Sequence, residues 1–227
     1  MSISENKYHF VIATRKSKSD FRNTPICTYL EKSDNFKNAS VFYNNNKGLT
    51  KLYNRFISES FSHKKVIFVH DDVLIEDLFL EEKLNIAFTK YDIVGLAGAK
   101  KCNLEKTPAW HLMADKEDFC GEVSHSHESK TWTTVFGPTE SRVLIMDGLF
   151  IAVNVERLLE TKTTFDENFD FHHYDITFCL NANKNKLKMG VTPIKVVHFG
   201  LGDSMTTIEW RKSADKFIKL YRNDKQG

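Results

Sequence analysis

The stretch Lys65-Val66-Ile67-Phe68-Val69-His70-Asp71-Asp72-Val73 decides the fold. An entirely apolar run, Val66 to Val69, passes straight into a histidine and two carboxylates. Such a run reads as a strand buried on both faces. A buried strand that ends in paired carboxylates delivers charge to the carboxyl edge of a sheet, where open α/β folds bind ligands. Carboxylate oxygens there suit a hard divalent cation held against substrate phosphates. The first expectation is an enzyme that handles a phosphate-bearing substrate through a metal.

The flanking sequence supplies neighbours for that strand. Tyr8 to Thr14 reads as a buried first strand, and Ala39 to Tyr43 as a short second one. Between them Thr24-Pro25 is a helix start, with Pro at the first helical position. Asn44-Asn45-Asn46-Lys47-Gly48 is turn chemistry. Leu49, Leu52, Tyr53, Phe56, Ile57 and Phe61 then follow at helical spacing. Glu76 to Phe88 reads as an amphipathic helix, and Ile93 to Gly98 as another buried strand. Strands and helices alternate over these hundred residues, which predicts a sheet with parallel strands and crossover helices.

The pattern then changes. Residues 100–142 are loop-rich, with a hairpin expected over Glu122 to Phe136 carrying Trp132. Val143 to Met146 and Leu149 to Val153 read as strands, and a short helix is expected near Glu156 to Thr161. A helix follows over Tyr174 to Asn185, then a strand over Val191 to Val197 that Pro193 interrupts. Ile208 to Tyr221 reads as a basic amphipathic helix. One domain over 1–227 is the expectation, with a nucleotide-binding half (8–100), an acceptor and catalytic half (101–200) and a C-terminal helical segment (203–227).

Bulk properties narrow the class. The chain has 227 residues, 41% hydrophobic and 27% charged, the make-up of a globular protein with a real core. The 18 Phe favour strands and a dense core. A net charge of +2 is too close to neutral for an extended nucleic-acid footprint. Cys27, Cys102, Cys120 and Cys179 form no C-x-x-C pair, so reduced, cytosolic thiols are expected rather than a zinc ribbon or a disulfide framework. The polar start Met1 to Lys7 carries no apolar signal segment, and no apolar run approaches a spanning helix. The expected location is cytoplasmic. A basic helix such as Ile208 to Tyr221 also suits contact with an anionic membrane surface, but the commoner reading is a packed helix with a solvated face.

Four clusters carry chemistry. In His70-Asp71-Asp72, neighbouring strand residues point to opposite faces, so Asp71 and Asp72 do not share one ion while the strand stays regular. His70 and Asp72 share a side, and Asp72 is the preferred ligand for Mn2+ or Mg2+. The competing reading is a capping pair that opens a helix at Ile75-Glu76. In Met146-Asp147-Gly148-Leu149-Phe150, an Asp-Gly step breaks an apolar run. It marks either close approach of a ligand to the backbone or a plain hairpin turn. In the stretch from Phe165 to Ile176, Asp175 falls in the first turn of a helix, where the helix dipole keeps a carboxylate ionised. That is what a general base requires, and equally what a capping residue provides. In Val196-Val197-His198-Phe199-Gly200-Leu201-Gly202, a strand ends in a histidine. Its neutral imidazole would complete a metal shell begun by Asp72, or simply sit in the core. Nine histidines bring no zinc spacing, and His125-Ser126-His127 and His172-His173 are too close together for a tetrahedral set. The P-loop, dinucleotide and nucleophile-elbow motifs are absent.

In order and spacing, these pieces resemble glycosyltransferases of the GT-A type, especially small proteins related to glycosyltransferase family two. The resemblance rests on Ala13-Thr14-Arg15, Asn46-Lys47-Gly48-Leu49 with Asn54, His70-Asp71-Asp72, Met146-Asp147-Gly148, Phe165-Asp166-Glu167 with Tyr174-Asp175, and Val197-His198. It implies an α/β fold with a mixed, mainly parallel sheet flanked by helices, and a nucleotide-sugar donor such as a UDP- or GDP-sugar. Thr14, Arg15, Asn46, Asn54, Asp71 and Asp147 would lie on the donor side. Trp110, Trp132 and His173 would meet a glycan or lipid-linked acceptor. Asp72, with His198 and His70, would hold Mn2+ or Mg2+, and Asp175 would deprotonate the acceptor hydroxyl, with inversion. The usual Asp-x-Asp has His70 in its first position. Two alternatives stay open. A nucleotidyltransferase would carry a glycine-rich basic loop after the first strand, where Thr14 to Ser19 has no glycine. A non-catalytic glycan-binding domain would show exposed aromatics and no metal dependence.

Overall fold

Val66 to Val69 are fully buried, and the strand they form with Lys65 is an interior strand of a mixed sheet. The computed structural model describes residues 7–200 and 205–222. Residues 1–6, Leu201, Gly202 and the ends of the expected C-terminal segment lie outside the described residues. In chain order the strands are β1 (Tyr8–Ala13), β2 (Ala39–Phe42), β3 (Lys65–Val69), β4 (Val73–Ile75), β5 (Ile93–Gly95), β6 (Ala97–Ala99), β7 (Phe119–His127), β8 (Lys130–Val135), β9 (Ser141–Val143), β10 (Ile145–Met146), β11 (Phe150–Asn154), β12 (Met189–Val191) and β13 (Val196–His198). The helices are α1 (Lys18–Phe21), α2 (Pro25–Lys32), α3 (Thr50–Asn54), α4 (Leu80–Ala87), α5 (Val155–Glu160), α6 (Tyr174–Lys184) and α7 (Ile208–Tyr221).

The main sheet runs β2-β1-β3-β11-β5-β12-β9. Its β2–β1, β1–β3 and β5–β12 ladders are parallel, and β3–β11, β11–β5 and β12–β9 are antiparallel. The parallel ladders among β1, β2 and β3 fall within residues 8–100. A second sheet runs β10-β6-β7-β13-β4, with β8 hairpinned onto β7 through the pair His125–Trp132.

The two sheets explain where local reading and structure differ. Ile93 to Gly98 is not one strand: the chain changes sheets at Leu96 and gives β5 to one and β6 to the other. Pro193 lacks an amide hydrogen and separates β12 from β13 in the same way. The residues after Asp72 do not open a helix. They form β4, which pairs antiparallel with β13. The helix starts later, at Leu80, because Asp77 accepts hydrogen bonds from Phe79 N at 3.0 Å, Lys83 Nζ at 2.6 Å and Lys195 N at 2.8 Å and holds an extended turn. The Asp147-Gly148 step is not a hairpin, since β10 pairs with β6 and β11 with β3 and β5. The apolar stripe from Leu49 to Phe61 is only partly helical: α3 ends at Asn54, and a short 3-10 turn covers Glu59–Phe61.

Helices seal the main sheet. Thr24 caps α2 by accepting from Cys27 N at 3.3 Å, with Pro25 in the first turn. The longer α6 buries Tyr174, Ile176, Phe178 and Cys179. Its Phe178 stacks on Phe165 at 4.1 Å, and Phe165 meets Tyr53 and Phe68 edge-on at 5.4 and 5.2 Å. Truncating a ring in such a cluster costs about 3–5 kcal/mol. All four cysteines are free. No helix among the described residues is long and apolar enough to cross a membrane.

Candidate active site

Among the places where the chain passes from one sheet to the other are residues 70–72, Leu96, residues 147–149 and the link between β12 and β13. Backbone bonds tie these crossings together, His70 N to Leu149 O at 3.2 Å and Asp147 N to Ala97 O at 3.0 Å. The polar residues that break apolar runs are therefore gathered at the junction of the sheets. There they line a cavity of about 450 Å³ that holds Asp72, His198, Asp147 and Asp175 in its walls.

Antiparallel pairing of β4 with β13 sets Val73 opposite His198, so Asp72 lies beside that imidazole. Asp72 Oδ2 is 3.3 Å from His198 Nε2. Its Oδ1 is buried and has no hydrogen-bond partner among the described residues. Burial acts to raise the Asp72 pKa, but the His198 hydrogen bond and the His70 and His198 imidazoles outweigh it and hold the carboxyl below its usual range. A Cβ on Gly200 would lie 2.5 Å from His198 Nε2 and 2.6 Å from Asp72 Oδ2, so a side chain there would displace one or both of them. An orphaned carboxylate oxygen beside an imidazole fits a hard cation whose remaining ligands come from phosphates and water. Among the described residues no three His, Cys, Asp or Glu side chains form a self-sufficient metal site. His70 does not complete one through Nε2. Tyr174 donates its hydroxyl to Gly148 O at 2.8 Å, so at 2.9 Å it accepts from His70 Nε2–H.

Asp147 is held by both oxygens. Leu149 N donates to Oδ1 at 2.8 Å and the Trp110 indole to Oδ2 at 2.7 Å. Asp175 stands at the start of α6 as expected, yet the helix dipole does not dominate its ionisation. Burial first, and the Asp147 charge second, push its pKa up to about 7 against the backbone N–H groups that lower it. The usual tendency of a helix N-terminus to favour a carboxylate is worth only about 1 kcal/mol, less than desolvation in a closed site. His173 precedes α6 with a left-handed φ of 64°. It is buried, contacts Ser213 Oγ of α7 through Nδ1 at 2.7 Å, and burial with His172 lowers its pKa to about 4.

The central cavity continues into two others. One, of about 800 Å³, lies at the ends of β1 and β2 and includes Thr14, Arg15, Asn46 and Lys47. Asp71 faces this side and accepts from Thr14 Oγ1 at 2.5 Å, while Asp72, its neighbour in the turn between β3 and β4, faces His198. Arg15 lies over the Phe171 ring at 5.6 Å. Gly48 takes a φ of 82° where it packs on Asp170. The α7 helix closes this end with Lys212 and Lys216, so part of its basic face lines a cavity instead of being merely solvated. The other cavity, of about 610 Å³, shares Trp110, His111, Asp147, Leu149 and His198 with the central one.

Three of the residues singled out in the sequence are not in the walls of these cavities: Asp71, which is bonded to Thr14, and Asn54 and Trp132. Asn54 receives Phe165 N on Oδ1 at 2.8 Å and donates to Phe165 O at 3.0 Å, holding a backbone turn. Trp132 stacks on His125 at 5.5 Å, and His125 meets His198 edge-on at 5.7 Å. Sequence reading missed the Trp110–Asp147 bond, the Tyr174 relay to His70 and the part played by α7. Only the glycine two residues after His198 offered a local signal.

A mixed sheet joined to a smaller one, with a carboxylate-lined cleft at their junction, is the GT-A fold of glycosyltransferases. Three solved structures share it. The crystal structure of A197 from STIV is 16% identical over 86% of each chain, with a TM-score of 0.51. GalNAc-T7, solved with UDP, GalNAc and Mn2+, is 11% identical over 96% of this chain and 43% of its own, with a TM-score of 0.55. TarS residues 1–349 from S. aureus are 13% identical over 86% of this chain and 60% of theirs, with a TM-score of 0.50. No curated protein matches the sequence. The chain belongs to the glycosyltransferase-like family, whose model matches residues 11–221. Family and fold together support glycosyl transfer.

Proposed function

We propose that the protein moves a sugar from a nucleotide-diphosphate donor to the hydroxyl of a glycan or lipid-linked acceptor. The observation that carries this reading is the convergence of Asp72, His198, Asp147 and Asp175 on one cavity that opens toward Thr14 and Arg15. The nucleoside would occupy the end formed by Thr14, Arg15 and Asn46, with its diphosphate directed toward Asp72. Asp72 and His198 would hold Mn2+ or Mg2+, which neutralises charge building on the leaving diphosphate. Asp147, fixed at both oxygens, would orient hydroxyls of the transferred sugar. Asp175 would accept the proton of the acceptor hydroxyl as that oxygen bonds to the anomeric carbon and the bond to the diphosphate breaks. A pKa of about 7 suits a base at neutral pH. Attack opposite the leaving group inverts the anomeric centre.

The test is thermal stability with UDP- and GDP-sugars, with and without Mn2+, followed by release of the nucleoside diphosphate in the presence of acceptors. Stabilisation by a sugar nucleotide that requires Mn2+ is the expected result. No stabilisation by any sugar nucleotide would sink the reading.

A further inference from the structure

The two ends of the cleft differ in chemistry. The end that includes Arg15, Lys47, Lys212 and Lys216 is cationic and suits phosphate. The opposite end is walled by Trp110, Leu112, Phe119, Val123, Phe136 and Leu149. Trp110 packs on Phe119 at 5.3 Å and on Phe136 at 5.1 Å, making a continuous aromatic wall. The indole nitrogen of Trp110 is spent on Asp147, so what this residue offers the cavity is apolar. Leu112 is 38% exposed, an apolar side chain left partly open at the cavity wall. A free oligosaccharide requires several hydrogen-bonding partners. The lining is mostly apolar: His111, Asp147 and His198 lie where this cavity meets the centre, and Asp115, Lys116 and His125 are its other polar residues.

We infer that this cavity seats the apolar aglycone of the acceptor, an aryl or alkyl group attached to the sugar whose hydroxyl enters the centre. The inference rests on the sugar-transfer reading and deepens it by assigning the acceptor class. With the aglycone against Trp110, Leu112 and Phe136, the attached sugar falls beside Asp147 and His198. Its hydroxyls are then next to the cavity that contains Asp175. Transfer of one ring-sized apolar group from water into such a cavity is worth about tenfold in affinity.

Ligand-observed saturation-transfer NMR with methyl, phenyl and octyl glycosides tests the assignment without donor or metal. The phenyl or octyl compound is expected to bind about tenfold more tightly than the methyl one, with saturation strongest on the aglycone protons. The phenyl and octyl arms separate an aromatic aglycone from a lipid chain. Leu112→Ser is expected to remove the preference and Leu112→Met to keep it. Phe136→Ala is a poorer probe, because it also removes packing from Trp110. Equal binding of all three glycosides, no binding, or a preference that survives Leu112→Ser overturns the inference. Failure of the sugar-transfer reading shows separately, as the absence of Mn2+-dependent stabilisation by sugar nucleotides.

Discussion

Trp110 donates its indole N–H to Asp147 Oδ2 at 2.7 Å, across 37 residues of sequence. The bond fixes a carboxylate that also lies close enough to Asp175 to raise its pKa. Trp110→Phe keeps most of the aromatic wall and removes one donor. The acceptor oxygen it leaves behind costs about 1–3 kcal/mol, read from urea denaturation. A carboxylate freed to rotate is also expected to lower kcat/KM about tenfold to a hundredfold. Unchanged stability together with unchanged turnover would show that the bond positions nothing.

The elevated Asp175 gives a pH dependence whose sign is fixed. Its folded pKa is about 7, against an unfolded value of about 3.9. Between those two values the folded chain keeps a proton that the unfolded chain has released. Stability therefore falls as pH rises through that window and levels off above it. Asp175→Asn carries no such proton. Its stability relative to the wild type is expected to grow from pH 4 to pH 7, while transfer drops about 10²- to 10⁴-fold. Chemical denaturation of both proteins in metal-free buffer checks this. Parallel stability curves would place the Asp175 carboxyl at an ordinary pKa.

The first three strands were readable from the sequence because each sits in the main sheet. β3 and the capped start of α2 are where Val66 to Val69 and Thr24-Pro25 put them. The site candidates Asp72, Asp147 and His198 were visible as polar residues that break or end apolar runs, and Asp175 as a carboxylate in the first turn of a helix. The reason for those breaks was not visible. Leu96 sits inside a run that looks continuous, and Pro193 was visible as an interruption but not as a change of sheet, which only the pairing of β10 with β6 and β4 with β13 shows. Periodicity reports which side of an element is buried, not which neighbour buries it. The helix dipole expected to ionise Asp175 was a local argument, overturned first by burial and then by a non-local carboxylate, Asp147.

Gly200 carries a steric prediction. A methyl group there would lie within 2.6 Å of both Asp72 Oδ2 and His198 Nε2. Gly200→Ala therefore forces the two side chains apart or fills the space between them. In the absence of metal the effect on melting temperature is expected to be small, because the residue is partly exposed at the end of β13. Stabilisation by Mn2+ with a sugar nucleotide is expected to be lost. A variant that responds to Mn2+ as the wild type does would mean that the space beside Gly200 holds no cation.

Asn54 separates folding from binding. Its amide makes a two-way clamp on Phe165, at 2.8 and 3.0 Å, and donates to Glu167 Oε1 at 3.1 Å. The clamp sets the turn from which Phe165 enters the aromatic cluster under α6. Asn54→Ala leaves the Phe165 amide and carbonyl without their partner, and each lost pairing of this kind costs about 1–3 kcal/mol. The side chain lines none of the three cavities described above, so calorimetric affinity for a nucleoside diphosphate is expected to stay within about twofold of the wild type while the denaturation midpoint falls. Asn54→Asp is the sharper variant. A carboxylate accepts from Phe165 N but cannot donate to Phe165 O, and it faces the Glu167 carboxylate. It is expected to be less stable at pH 7 than at pH 4, where protonation restores a donor and removes the repulsion. A weakened nucleotide affinity in Asn54→Ala, with no change in the denaturation midpoint, would instead put Asn54 on the donor side of the site.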